Sequence, residues 1–556
     1  MIKNVNNNLW SIYYENDAYS VSEDKVMGRQ AAGNAFLKAY AKSDFSNIGV
    51  FASNEASFKN FVTSFQNLLP SNKEIQLSYI PWGNPKKLSD YGGLYYPGPD
   101  FTRFANQRYS IGHNSFSIVG ITHTTASQKA IDSLLEIFTE PVMPWDALIC
   151  TSNSVKNSVN TLFDEYFEIL QKRLGVTKKP DLELPIIPLG VHFDDYNFKK
   201  NDEDLRRKDL GIGPDDIVVL FLGRLSFHAK AHYLPMYIAL QKAQESLPQG
   251  VKLHLIQTGW FPNKPVENMY KEDTLKIAPD VKFHFIDGRI EVNKKISFCV
   301  ADIFISLVDN FQETFGLTPL EGMAAGLPVI VSDWDGYKDT VRDGVDGFRI
   351  PSVTMESGNG YKYYEDYYIG LDNYDHYIGR TSQTVSININ ECIDKLKLLI
   401  NDKNLRLKLG KNAKNNAKKF DWSLILKKYS SLKKELDKKR DFSIKSNQSF
   451  LKPIKIQDPY TFFNDYSSFK INHKTVIFKT NDINTIDLDD FYKFESVSFL
   501  KNIAPDKLIL HNILNYINNC NESFFIDLIN DIKLDEFTAS QSVLWLSKYG
   551  YLNIKE

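Results

Sequence analysis

The chain has 556 residues, a formal charge of -2 and 24% charged residues. That length allows three or four domains with large cores, and so even a charge balance excludes a chain built throughout for nucleic acid. Four scattered cysteines, Cys150, Cys299, Cys392 and Cys520, lack metal-ligand spacing and read as reduced, which predicts a cytoplasmic protein. Residues 1–8 lack the apolar core of a signal peptide, and no apolar run is long enough to span a bilayer.

The predicted elements begin with an aromatic-rich strand, Trp10–Tyr14. A polar loop containing Gly28-Arg29-Gln30-Ala31-Ala32-Gly33 follows, then a helix over Asn34–Ala41. Glycines in that loop either make a turn or let a ligand approach the backbone. Short apolar runs at Ile48–Phe51, Ile75–Ile80 and Ser117–Ile121 alternate with helical or loop sequence, as in a parallel sheet covered on both faces. Tyr91–Pro99 reads as a loop whose aromatics stack on a sugar or cover the core edge. His123 stands just past a strand's carboxyl end, where a histidine is a hydrogen-bonded structural residue or a ligand contact. Ala147–Ser152 is another strand, Ser154–Phe163 a helix, and a domain boundary is predicted near 190–210.

Ile217–Leu222 opens a second set of strands and leads into Gly223-Arg224-Leu225 and Lys230. Two cations at a strand end are either solvated surface charges or are aimed at an anion such as a diphosphate. Leu253–Ile256 with Gly259, and Val281–Ile286 with Asp287-Gly288-Arg289, are further strand-plus-glycine units. Ile303–Val308 and Val329–Val331 are buried strands on either side of a short helix. Thr318-Pro319-Leu320-Glu321 carries the signals of that helix's start, a hydroxyl cap, proline at the first position and glutamate three residues later, and Gly326 and Pro328 end it. Ahead of it, Thr314-Phe315-Gly316 offers backbone N–H groups to a phosphate. Glu313 lies at the carboxyl edge, where open α/β sheets bind ligands. On spacing alone, Glu321 is equally a capping-box partner and Glu313 a solvated loop acid.

Glu313-x7-Glu321, with Phe315-Gly316 after the first acid and Gly322-Met323-Ala324-Ala325-Gly326-Leu327-Pro328-Val329-Ile330 after the second, resembles the signature of family-four retaining glycosyltransferases of the GT-B fold. The resemblance runs to about residue 440 and implies an α/β architecture: two Rossmann-like domains facing a cleft, residues 1–200 on the acceptor side and 201–440 on the nucleotide-sugar side, plus a small accessory domain, 450–556. It implies that Glu313 holds the donor sugar hydroxyls, Glu321 the ribose and His123 the far side of the sugar. Arg224 and Lys230 clamp the leaving diphosphate with no obligatory metal. Phe315, Gly316 and Leu317 contribute to the donor site, Gly28 faces the donor phosphates and acceptor, and Gly259, Gly288 and Arg289 line a uridine or guanosine base. The donor is then a UDP-sugar or GDP-sugar, the acceptor a saccharide, a lipid-linked molecule or a protein, and nucleic acid is not a partner. Retention would proceed by front-face attack, with the leaving phosphate taking the acceptor proton. Ala231 replaces an expected glycine and Asp339 an expected glutamate. A sugar-nucleotide epimerase or phosphorylase on the same fold, and a non-catalytic scaffold, are the alternatives.

Asp333–Asp339 and Gly344–Phe348 read as a turn, a helix and a hairpin. Residues 355–385 form an insertion with seven tyrosines, a lid, an acceptor platform or a surface excursion packed by its own rings. Ile389–Leu436 is helical, and Lys403–Arg440 carries 14 Lys/Arg against three Asp/Glu. That is a solvated helix face or a surface that sits on anionic lipid, which leaves peripheral contact with the inner membrane face open. Trp422, Ile425, Tyr429 and Leu432 resemble the closing GT-B helix, which packs back toward the first domain. Beyond a polar linker, Ser443–Ser449, comes a hairpin-like Val476–Phe478. Helices over Phe524–Ile532, Leu534–Ser540 and Gln541–Tyr549 and a terminal strand follow, faintly like a winged helix, suited to self-association or protein docking.

Overall fold

The computed structural model describes residues 9–19, 28–198, 200–445, 457–480, 483–500 and 502–556. They form two compact units, 1–456 and 457–556. In the larger unit, β1 (Ser11–Tyr13), β2 (Asn47–Ala52), β3 (Gln76–Pro81), β4 (Gly93–Tyr95), β5 (Ser117–Ile121) and β6 (Ala147–Ile149) make one sheet in the order 3-2-1-4-5-6. A second sheet contains β7 (Ile217–Leu222), β8 (Leu253–Gly259), β9 (Lys282–Asp287), β10 (Ile303–Ser306), β11 (Val329–Ser332) and β12 (Gly347–Ile350), in the order 12-11-10-7-8-9. Every ladder in both is parallel. This is the GT-B arrangement. β7, β10 and β11 are buried along their whole length, which is why they read as unbroken apolar runs.

In each sheet the chain starts in the middle, winds to one side and then crosses to the other. The order therefore reverses between β1 and β4 and between β7 and β10. A crevice opens at the carboxyl ends where it reverses. Arg224 and Lys230 follow β7 and Glu313 follows β10, so sheet topology alone delivers all three to the second crevice.

Four expectations about loops, turns and linkers in the larger unit are overturned. Tyr91–Pro99 contains strand β4, paired with both β1 and β5. Gly93 lies so close to the Trp10 ring that a Cβ would meet it at 2.4 Å, a packing demand that composition reads as a loop. Gly28–Gly33 is the start of the Gly28–Lys42 helix rather than a loop, and there Gly33 lets that helix touch the Ala18 carbonyl. Gly344–Phe348 is a turn into β12, which pairs parallel with β11, so no hairpin forms. The polar linker's first residues, 443–445, complete the Trp422–Lys445 helix, and its remainder lies outside the described residues.

That helix returns to the first sheet. Trp422, Ile425, Tyr429 and Leu436 are buried among Phe36, Tyr40 and Tyr95. Arg440 donates to the Ser117 hydroxyl at 2.7 Å, and Lys433 pairs with Asp437 at 2.6 Å, so part of the basic run is spent inside the fold. Among the described residues, no helix is long and apolar enough to cross a membrane.

In the smaller unit, β13 (Val476–Lys479) lies between β14 (Glu522–Phe524) and β15 (Leu552–Lys555), antiparallel to both. Its partners are distant in sequence, so the hairpin expected at Val476–Phe478 is absent. Its longer helices are Lys507–Cys520, Phe525–Ile532 and Glu536–Lys548. The last replaces the two helices expected over 534–549, because Asp535 caps it and Ala539, Val543 and Leu546 run as one buried stripe.

Candidate active site

The short helix of the motif spans Leu317–Ala325. Its N-cap is Gly316 at φ 83°, not Thr318, and no side chain caps it. Glycine is required there: a Cβ would meet the Tyr337 ring at 1.8 Å. Glu321 is likewise not a capping-box partner. It accepts the Tyr196 hydroxyl at 2.7 Å and the Lys294 ammonium at 2.5 Å. Gly326 at φ 90° ends the helix as expected.

Across the crevice, Lys230 pairs with Glu313. Burial pushes the Glu313 pKa up, but Lys230 and the N–H groups of Thr314 and Phe315 outweigh it and hold the carboxyl below its usual range. Arg224 is also largely buried. Burial lowers its pKa against the opposing pull of Asp375, Tyr374 and Glu313, and its Nη2 donates to the Ala229 carbonyl at 3.1 Å. The Gln312 amide donates to that same carbonyl at 2.6 Å, and Asn310 to the His228 carbonyl at 2.6 Å. These bonds lock the 224–230 turn to the Glu313 loop, which leads into the Leu317–Ala325 helix, whose start no side chain caps.

Contacts join this edge to the carboxyl edge of the first sheet. Thr151 Oγ1 donates to the Thr314 carbonyl at 3.1 Å, and Ser152 Oγ to Asp335 at 2.8 Å. The Asn153 backbone N–H, at the start of the Asn153–Leu174 helix, donates to Asp339 at 2.7 Å. Asp335 has φ 37°. Burial raises its pKa to about 7, against the Ser152 bond, and Glu313 and Asp339 push it further up. His123 Nε2 lies 3.0 Å from the Pro97 carbonyl, which can only accept, so that nitrogen carries the proton and Nδ1 is left as an acceptor. Burial and Arg29 push its pKa down to about 4, so it is neutral at pH 7.

The weaker expectations fare differently. Gly28 is exposed at a helix start with open space at its Cβ, and its neighbour Arg29 is what His123 senses. Gly259 packs against Gly223, where a Cβ would meet the carbonyl oxygen at 1.9 Å, and Gly288 packs against Gly259. Close strand-end packing is reason enough for both glycines. Arg289 bonds Asp287 at 2.7 Å in the turn after β9. Tyr196, Lys294 and Asp335 were missed. Tyr196 and Lys294 lie 125 and 27 residues from Glu321, with no motif linking them.

Residues 202–358 match the family model for glycosyl transferases group 1. That matched segment is similar to a group 1 glycosyl transferase domain. Its relatives include the D-inositol 3-phosphate glycosyltransferase of Geodermatophilus obscurus, 28% identical over 175 residues, which cover 30% of this chain and 36% of that protein. Another is the lipopolysaccharide 1,2-N-acetylglucosaminetransferase of Salmonella typhimurium, 25% identical over 173 residues, 31% of this chain and 44% of that protein. The chain thus spans about a third to a half of the length of the curated relatives it matches. Among solved structures, Anabaena HepE in complex with UDP-glucose is 16% identical, with a TM-score of 0.48 over 76% of this chain and 99% of that one. The matched segment carries all of the motif residues Arg224, Lys230, Glu313 and Glu321, while His123 follows β5 of the first sheet.

Proposed function

We propose that the protein is a retaining, metal-independent glycosyltransferase that moves a hexose from a UDP-sugar or GDP-sugar to a saccharide, lipid-linked or protein acceptor. One observation supports this reading: Lys230 pairs with Glu313, just ahead of the Leu317–Ala325 helix whose start has no side-chain cap, and Thr151, from the carboxyl edge of the sheet that also carries His123, bonds the Thr314 carbonyl. A diphosphate leaving group needs fixed positive charge, and two cations plus helix N–H groups supply it where a divalent ion otherwise would. A bound diphosphate would share Lys230 with Glu313, freeing that carboxylate to accept sugar hydroxyls. His123, neutral and with Nδ1 as an acceptor, suits a hydroxyl contact and not proton abstraction.

In the proposed step the bond from the anomeric carbon to the phosphate oxygen breaks and the acceptor oxygen bonds the same face. The acceptor proton passes to the departing phosphate. Residues 1–200, 201–440 and 450–556 would serve acceptor, donor and association. The exposed lysines of 403–440 would favour an anionic membrane face from the cytoplasmic side.

Thermal melts with UDP, GDP and their sugars, with and without EDTA, test the donor assignment, since a ligand bound to the native state raises the melt by mass action. A shift that survives EDTA is expected; a strict magnesium requirement counts against the cation clamp. Product analysis by NMR reads the anomeric configuration, and turnover of donor alone to an isomer would point to an epimerase.

A further inference from the structure

A groove of 560 Å³ opens beside this crevice. Asp100 and Arg103 line it from the segment after β4, and Gln128, Lys129 and Asp132 from the helix after His123. Tyr367 lines it from the tyrosine-rich insertion of the other domain. The insertion reaches across. The Gln128 backbone N–H donates to the Tyr367 hydroxyl at 3.2 Å, and the Tyr374 hydroxyl lies 3.4 Å from Thr124 Oγ1, next to His123. The groove therefore has its full lining only when both domains contribute.

Its chemistry is specific. The Arg103 guanidinium is held 4.8 to 5.5 Å from the Tyr13, Trp82, Tyr96 and Phe104 rings and donates to the Tyr13 hydroxyl at 3.1 Å, yet its side chain is 45% exposed. It is a pre-positioned donor at the groove. The Tyr367 ring is stacked on Tyr377, 5.1 Å apart and 7° from parallel, which stiffens it as a flat wall. With Glu136, which accepts the Thr102 hydroxyl at 2.9 Å, the lining holds three acids against two cations. Such a lining, with one net negative charge, favours a neutral ligand over a phosphate. Carboxylate acceptors, guanidinium and amide donors and an aromatic face together match a neutral polyhydroxylated ring, whose every hydroxyl both donates and accepts.

We infer that this groove binds a saccharide acceptor, with Tyr367 against the sugar ring and Asp132 and Arg103 on its hydroxyls, so that the donor-side domain also selects the acceptor. The inference rests on the transferase reading above. It is tested by saturation-transfer NMR on the full chain with methyl α-glucoside, methyl α-mannoside, methyl β-galactoside and N-acetylglucosamine. At least one sugar should receive saturation, and Tyr367→Ala and Asp132→Asn should each weaken it by about ten-fold, while both variants keep the wild-type melting shift with UDP. Asp132→Asn leaves the insertion's bonds intact and so separates recognition from loosening. Absence of saturation in the wild type, or saturation unchanged in both variants, overturns the inference. A wild type that binds these sugars but is not shifted by UDP or GDP supports the groove and counts against the transferase reading alone.

Discussion

The Tyr196 hydroxyl donates to Glu321 at 2.7 Å, tying the segment that crosses between the two sheets to the second acid of the motif. Lys294 holds the same carboxylate, and both side chains of that ion pair are largely buried. Tyr196→Phe removes one hydrogen bond and should cost about 1 kcal/mol. Lys294→Met leaves a buried carboxylate short of its charge partner and should cost about 3 kcal/mol, part of which Glu321→Gln restores in the double variant. Urea denaturation of the four proteins checks both figures.

Lys230 decides the sign of the Glu313 titration. In the wild type the Glu313 pKa is lowered. Its contribution to stability is thus present above the unfolded pKa and is lost as pH falls through the folded one. In Lys230→Ala burial dominates and the folded pKa rises, so the contribution should be present at low pH and lost as pH rises. Denaturation midpoints from pH 3 to 8 should show the two curves diverging toward neutral pH, with Lys230→Ala the less stable. The same variant should bind UDP at least about ten-fold more weakly by calorimetry.

Asp335 runs the other way. With its folded pKa at about 7, the stability it contributes is full below the unfolded pKa and is lost as pH rises to 7 and beyond. Asp335→Asn keeps a partner for Ser152 and never ionises, so it should be more stable than the wild type at pH 8 and similar to it at pH 4. Thermal melts at the two values measure this.

Two glycines of the site should respond oppositely to alanine. Gly316→Ala meets the Tyr337 ring at a left-handed φ and should melt many degrees lower or fail to fold. Gly28→Ala has open space at a helix start and should be stabilised by about 0.5 kcal/mol. Parallel melts decide it.

Much of the fold was legible because parallel strands buried on both faces, such as Ile217–Leu222 and Val329–Ser332, leave an apolar run that needs no partner to recognise. β4 was not legible, because three residues led by a glycine carry no periodicity and are a strand only through pairing on both sides. The cap of the motif helix was misread for a related reason: Thr-Pro-x-Glu satisfies local rules, but the Gly316 turn is set by contact with Tyr337, 21 positions on.

Chain order by itself determined that Arg224, Lys230 and Glu313 would follow strands, because a strand, a turn and a helix are local objects written in consecutive residues. That they meet was decided by winding, which reverses between β7 and β10. What each charge touches was decided by packing alone. Tyr196 and Lys294 reach Glu321 because the crossover segment and the helix after β9 both pack on the motif helix, and Tyr367 reaches Gln128 across 239 residues because the insertion lies against the first sheet's carboxyl edge.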